Sequence, residues 1–353
     1  MKDSVKNVAS TTDEEMEPLP TQPNGTGLAQ TPTYLQYFDR LLIGIEPRWR
    51  NWIIRSIFTF VMIGSFIRVL SMGQLALSVT IFSIQIKCFQ EIITIGYVVY
   101  KSDNLPWFRT LSWYFLFASN YCLHGEKLIY HFAFLLNQQN FLQPLVTYHR
   151  MIAFLLYISG FVAFVLSLKK TYYLKQFTLF GYTHLALMIF VVPFHAAIQN
   201  TCAGMIWFIF PAALIICNDI MAYVFGFFIG RTPLTKLSPK KTWEGFIGGG
   251  ISTFIFGFII AGSLCQYPFL ISPTEQVMNM SIYQKAPYQM PLPFSIFKKT
   301  LHLYPFQLHS LVLSLFASSI GPFGGFFASG FKRAFRIKDF AATIPGHGGF
   351  VVR

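Results

Sequence analysis

Ile206-Trp-Phe-Ile-Phe-Pro-Ala-Ala-Leu-Ile-Ile-Cys-Asn218-Asp219-Ile-Met-Ala-Tyr-Val-Phe-Gly-Phe-Phe-Ile229 is the stretch that decides the fold. A run this long and this apolar crosses a bilayer as a helix, for which about 20 residues suffice. Asn218 and Asp219 interrupt it, and Asp219 stands ten positions before its end. A carboxylate at that depth is costly unless it faces a cavity, an ion or a partner. Functional use is therefore the default reading of the Asn218-Asp219 pair. The competing reading is structural: Asp219 paired with Lys240 or Lys332, since a buried ion pair needs no catalytic purpose.

Similar apolar runs lie near 53–72, 75–99, 111–134, 148–168, 176–198, 245–264 and 308–330, which with the first makes about eight spans. The run at 111–134 is broken by His124, Gly125, Glu126, Lys127 and His131, and an alternative is that it ends near Cys122 with an interfacial remainder. Composition agrees with this reading. Of 353 residues 54% are hydrophobic, 18% aromatic and only 12% charged, and the mean hydropathy is +0.49, more apolar surface than one soluble core buries. The predicted class is an all-α, polytopic integral membrane protein.

Residues 1–33 differ from the rest. They hold Asp13, Glu14, Glu15, Glu17 and four prolines with few large apolar residues, a composition that predicts a disordered tail on the cytosolic side. The net charge of +13 would suggest nucleic acid in a soluble domain, but here the cations punctuate apolar runs, so a nucleic-acid partner is rejected. With the amino terminus in the cytosol, Arg48, Arg50, Lys101, Arg109, Lys169, Lys170, Lys175, Arg231, Lys236, Lys240, Lys241, Lys332, Arg333, Arg336 and Lys338 fall on one face. Few cations remain opposite. The loop at about 265–305 is then luminal, with Asn279-Met-Ser as a glycosylation acceptor.

Two basic segments share the cytosolic face. Arg231-Thr-Pro-Leu-Thr-Lys-Leu-Ser-Pro-Lys240-Lys241-Thr-Trp-Glu244-Gly245 follows the Asp219 span, and Ser238-Pro239 is predicted to open the next helix with Lys240, Lys241 and Glu244 in its first turn. Cations oppose the macrodipole there, which points to an anionic ligand; a plain topology signal is the alternative. Near the end of the chain, Ser329, Lys332, Arg333 and Arg336 fall at i, i+3, i+4 and i+7, one face of a helix able to grip a polyanion. Lys338-Asp339 and then Ile344-Pro-Gly-His347-Gly348-Gly349 follow, a tight loop whose bare amides can approach phosphate oxygens. A basic helix resting on anionic headgroups is the alternative for the cations alone.

Other chemistries lack their templates. There is no G-x-x-x-x-G-K-[ST] and no G-x-S-x-G, and Gly248-Gly249-Gly250 reads as close helix packing. The five cysteines form no C-x-x-C pair, and His124, His131 and His149 lack ligand spacing.

Taken together, these motifs resemble the integral-membrane phosphatidate cytidylyltransferases, the CDP-diacylglycerol synthases, and the animal members in particular. The family's signature runs Ser, two residues, Lys-Arg, four residues, Lys-Asp and then a His-Gly-Gly loop, matched here by Ser329, Lys332, Arg333, Lys338, Asp339, His347, Gly348 and Gly349. Cys217-Asn218-Asp219 and Leu237 to Gly245 resemble its second block, and the similarity runs from about 34 to 349. The resemblance implies a membrane-embedded enzyme of the endoplasmic reticulum, active on its cytosolic face, that joins CTP to phosphatidate with Mg2+ and releases pyrophosphate. It implies catalytic roles for Asp219, Lys240, Lys241, Glu244, Lys332, Arg333, Lys338 and Asp339, and substrate contacts from Asn218, Ser329, His347, Gly348 and Gly349. The metal, or the orienting of those cations, would fall to Asp219 and Asp339.

After His-Gly-Gly the family continues with two residues and Asp-Arg-x-Asp, whereas this chain reads Phe350-Val351-Val352-Arg353. Val352 stands where the first acidic residue belongs, and valine cannot ligate a hard cation. The expectation is a shortened family member with a divergent 350–353 end and impaired turnover. Two further readings stay open: a noncatalytic short form that joins a full-length partner as a heterodimer, or itself as a homodimer, and a membrane transporter, which would also hold an intramembrane carboxylate.

Overall fold

The computed structural model describes residues 47–99, 107–135, 139–235, 238–271, 292–296, 299–337, 340–341 and 349–352. The predicted disordered tail and Asn279 lie outside them. Helices α1 (Pro47–Ser71), α2 (Gln74–Val99), α3 (Trp107–Leu135), α4 (Gln139–Thr147), α5 (His149–Leu166), α6 (Tyr173–Ala203) and α7 (Ile206–Phe228) lead to strands β1 (Pro233–Thr235) and β2 (Ser238–Thr242). Then come α8 (Trp243–Leu264), the short α9 (Pro268–Ile271), strands β3 (Leu292–Ile296) and β4 (Lys299–Leu303), α10 (Pro305–Ser319), α11 (Gly321–Ala334) and a 3-10 turn at Phe350–Val352. The described strands form two separate two-stranded antiparallel hairpins, so the membrane part is all-α as expected.

Among the described residues, seven helical segments are long and apolar enough to cross a bilayer. The expected eighth, α3, continues unbroken past Cys122 to Leu135 and at about 1.5 Å per residue is long enough to cross. It packs against α5 and α6 within the bundle. The outer surface confirms the solvent: Phe60, Leu174, Phe228 and Val312 are 74%, 85%, 77% and 69% exposed, a pattern that lipid, not water, accommodates.

The described interior holds three apolar clusters, two of them large. Phe89, Ile92, Ile93, Phe115, Phe164, Leu179 and Leu187 build one core between α2, α3, α5 and α6. Apolar burial drives no association within lipid, so polar ties matter there. Gln85 donates to Asn120 at 2.8 Å, the Ser112 and Thr183 hydroxyls meet at 3.0 Å, and Tyr182 donates to the Ile92 carbonyl at 2.8 Å. The other core joins Phe210, Leu214, Ala261 and Phe306 of α7, α8 and α10. Between them Gly204 turns α6 into α7 with φ +150°, and a Cβ there would stand 2.8 Å from the Ile271 carbonyl oxygen, so only glycine fits.

Candidate functional site

The site is built where α7 and α8 run against each other. Gly245 and Gly249 let α8 approach Ala222 of α7: added Cβ atoms would lie 2.6 Å from the Ala222 carbonyl oxygen and 3.0 Å from its Cβ. The Gly248–Gly250 run is therefore part of a close helix contact, as the sequence suggests. Asn218, buried, accepts from Thr253 at 3.4 Å across the same contact. Asp219, the next residue, is exposed.

Asn218, Ala222 and Gly226 fall at i, i+4 and i+8, and Asp219, Tyr223 and Phe227 beside them likewise, so one side of α7 forms a wall. The wall faces a cleft of about 560 Å³ that is closed by Leu234, Ser238, Lys241, Thr242, Gly245, Phe246 and Pro322. Tyr223 and Phe227, each more than 70% exposed, open one flank of it toward lipid. Among the described residues Asp219 has no salt-bridge partner, and the pairing with Lys240 or Lys332 considered from the sequence is not formed by any described atom.

The lysine loop differs from the expectation in an instructive way. Lys240 and Lys241 lie on β2, not in the first turn of α8, which starts at Trp243. Thr242 is the cap, extended at φ −115° and ψ 155°, its hydroxyl accepting from Gly245 N at 3.2 Å. Ser238 to Thr242 pair with β1 as a strand instead of opening the helix, and the Thr242 oxygen is left to take the free helix amide. Neither lysine therefore stands in the first helical turn, where opposition to the macrodipole was expected. Glu244 is in the first turn as expected. Its carboxylate accepts from Arg231 N at 3.1 Å, from Thr232 N at 3.2 Å and from the Thr232 hydroxyl at 2.8 Å, fastening the hairpin base to α8.

The two basic segments do converge. The Lys241 ammonium sits over the Phe326 ring at 4.9 Å, beside Gly325, so the lysine hairpin touches α11. Further along α11, Ser329 returns its hydroxyl to the Gly325 carbonyl at 2.8 Å. Lys332, half-buried, lies 5.5 Å from the Phe340 ring centroid, and Arg333 is exposed. Arg336 does not share their face. The helix ends at Ala334 in a Schellman closure, Ile337 N to Lys332 O at 2.9 Å and Arg336 N to Arg333 O at 3.2 Å, and Arg336 takes the left-handed conformation at φ 51°. The i+7 extrapolation fails because the helix stops first. Lys338, Asp339, His347 and Gly348 lie outside the described residues, as does the Lys240 side chain.

Gly349 and the turn after it introduce a residue that the sequence reading passed over. Glu91 of α2, 8% exposed, accepts from Phe350 N at 3.0 Å and from Val351 N at 3.2 Å, one amide per carboxylate oxygen. Its signal was available. Glu91 is a carboxylate inside an apolar run, the same rule that singled out Asp219.

For a cation the cleft offers oxygen donors only. Among the described residues no three His, Cys, Asp or Glu side chains converge, and Asp219 is the carboxylate lining the cleft. One carboxylate completed by water and substrate phosphates is how Mg2+ is commonly held, so the residues fit that ion.

Comparison with known proteins gives the family. The model of the cytidylyltransferase family matches residues 53–353. Phosphatidate cytidylyltransferase 1 of Rattus norvegicus is 53% identical over 336 residues, 92% of this chain and 72% of the relative. Phosphatidate cytidylyltransferase of Caenorhabditis elegans is 52% identical over 330 residues, 90% and 71%. Phosphatidate cytidylyltransferase 1 of Homo sapiens is 50% identical over 363 residues, 99% and 77%. The chain belongs to the cytidylyltransferase family.

Proposed function

We propose, from that membership, that this chain is a phosphatidate cytidylyltransferase converting CTP and phosphatidate to CDP-diacylglycerol and pyrophosphate. The observation that carries the reading is the cleft itself, in which an intramembrane carboxylate, Asp219, and a hairpin lysine, Lys241, share one wall-to-wall space. Its flank at Tyr223 and Phe227 suits a substrate whose acyl chains stay in the bilayer while its phosphate meets soluble CTP. The distribution of Lys and Arg supports a cytosolic site, with the endoplasmic reticulum as the expected membrane.

Phosphatidate needs little activation. Its phosphate monoester, with a second pKa near 6, is largely dianionic at neutral pH. An oxygen of that phosphate attacks the α-phosphorus of CTP, the bond from the α-phosphorus to the bridging oxygen breaks, and pyrophosphate leaves with the electron pair. The protein's part is alignment and charge neutralisation. Lys241, with Lys240 adjacent in sequence, takes phosphate oxygens on the hairpin side, and Lys332 and Arg333 take them from α11. Mg2+, when bound at Asp219, neutralises charge on the phosphates. Ser329, Lys338, Asp339 and the His347–Gly349 loop complete the expected set from the family pattern.

The test is cytidine incorporation into lipid by the purified chain with CTP, Mg2+ and phosphatidate. Incorporation that requires all three is expected, and is expected to rise when Val352→Asp supplies the carboxylate of the family pattern. If neither the chain nor the Val352→Asp form incorporates cytidine, the reading fails.

A further inference from the structure

A lysine that must meet phosphate in a cleft poses a problem of placement. Its ammonium ends a flexible four-carbon stem, and a carboxylate, the usual partner that fixes such a stem, would cancel the charge that phosphate requires. At Lys241 the fixing group is a ring. The ammonium lies 4.9 Å from the centroid of Phe326, inside the roughly 6 Å over which the ring quadrupole attracts a cation, while the same lysine lines the cleft with Asp219. Phe326 is itself held in place: it is 7% exposed, edge-on to Phe323 at 5.6 Å and 82°, and one helical turn beyond the cleft-lining Pro322. Gly325 clears the approach. A Cβ there would stand 3.4 Å from the Lys241 ammonium, already van der Waals contact, so a longer side chain would crowd the cation. The pairing recurs at Lys332, whose ammonium lies 5.5 Å from the Phe340 centroid, a ring 7% exposed and stacked on Phe331 at 5.2 Å. Among the described residues these are the two lysines of the basic segments, and each sits against a buried phenylalanine.

We propose that Phe326 is a positioning residue: its ring face holds the Lys241 ammonium at the cleft and leaves the charge to a phosphate oxygen. The inference rests on the cytidylyltransferase reading for its ligand but not for its contact. An aromatic face attracts a cation without carrying a formal charge of its own, so the stem is ordered before substrate arrives and the phosphate meets a full positive charge.

The contact and its consequence are read separately in the purified full chain. Lysine acylation followed by mass spectrometry reads the contact, since an ammonium held against a ring is shielded from the reagent. Phe326→Leu should raise labelling of Lys241 by about threefold or more, with the exposed Lys170 unchanged. Cytidine incorporation reads the consequence. Phenylalanine carrying one, two and then three ring fluorines at position 326 keeps the shape of the side chain while draining its negative face. Across that series kcat/KM for CTP should fall stepwise, by about threefold in all, and the fall should disappear in a Lys241→Ala background. A residue that only fills space would not follow the fluorine count. Should Phe326→Leu fail to fold, the fluorinated series carries both measurements. Unchanged Lys241 labelling overturns the contact. A kcat/KM that stays flat across the series, or falls equally with Lys241→Ala, overturns the positioning role. If neither the chain nor its Val352→Asp form incorporates cytidine, the functional reading fails while labelling still decides the contact.

Discussion

On α7 the Asp219 carboxylate stands exposed in a cleft, whereas on α2 the Glu91 carboxylate is 8% exposed and filled by two backbone amides. Both sit in apolar runs, and sequence alone gives both the same cost. What separates them is the partner. Glu91 is satisfied by the protein, so its free energy goes into holding a segment in place. Asp219 has no salt bridge within the described protein and remains available to a cation or substrate. An acid in a membrane helix therefore marks a demand, and the packing around it decides whether the fold or a ligand meets that demand.

The largest expected effect tests the Asp219 side. Asp219→Asn keeps the shape of the side chain and removes its charge, and turnover should fall by at least about tenfold, some 1.4 kcal/mol of transition-state stabilisation. Thermal stability should hold, because no described bond is lost and an amide is easier to keep in a membrane than a carboxylate. Glu91→Gln should instead loosen a segment. If Asp219→Asn lowers the melting temperature without touching turnover, the two carboxylates have the same structural role and the contrast collapses.

A smaller effect is expected at Lys241, where several cations share the phosphate charge. Lys241→Ala should lower turnover several-fold, since one charge-assisted hydrogen bond to phosphate contributes about 1.5–3 kcal/mol before neighbours compensate. The control is Lys169→Ala. Lys169 is exposed on the loop between α5 and α6, and its backbone amide, bonded to Gln176 at 2.8 Å, survives the substitution. Equal losses from the two variants would mean that bulk positive charge at the membrane surface is what counts, and the cleft would lose its claim to specificity.

How far the sequence could be read follows from the range of the forces involved. The apolar runs are local, so the helices and the flagged Asp219 were legible, and the Gly248–Gly250 run pointed to a close helix contact without naming α7 as the partner. Helix ends were not. They depend on competition between caps: Thr242 displaced Ser238-Pro239 as the start of α8, and the Schellman closure at Arg336 cut short a face extrapolated to i+7. Glu244 shows the same limit, since the family resemblance places it in the catalytic set, while the Arg231 and Thr232 amides that its carboxylate accepts are brought near only by the hairpin. Glu91 met its amides from 259 and 260 residues away, a pairing no spacing rule contains.

The smallest effect lies at Arg336 and sharpens the same distinction between a residue held by the fold and one offered to a ligand. At φ 51° a non-glycine residue carries a conformational cost of about 1–2 kcal/mol, which Arg336→Gly removes together with the guanidinium. The two changes oppose each other, so the melting temperature should shift by no more than a few degrees. KM for CTP should rise less than in Lys332→Ala, because Lys332 points from the last turn of α11 while Arg336 has left the helix. A loss of turnover in Arg336→Gly as large as in Lys332→Ala would show that the left-handed turn brings the Arg336 cation back to the phosphates, and that this cap is itself part of the ligand site.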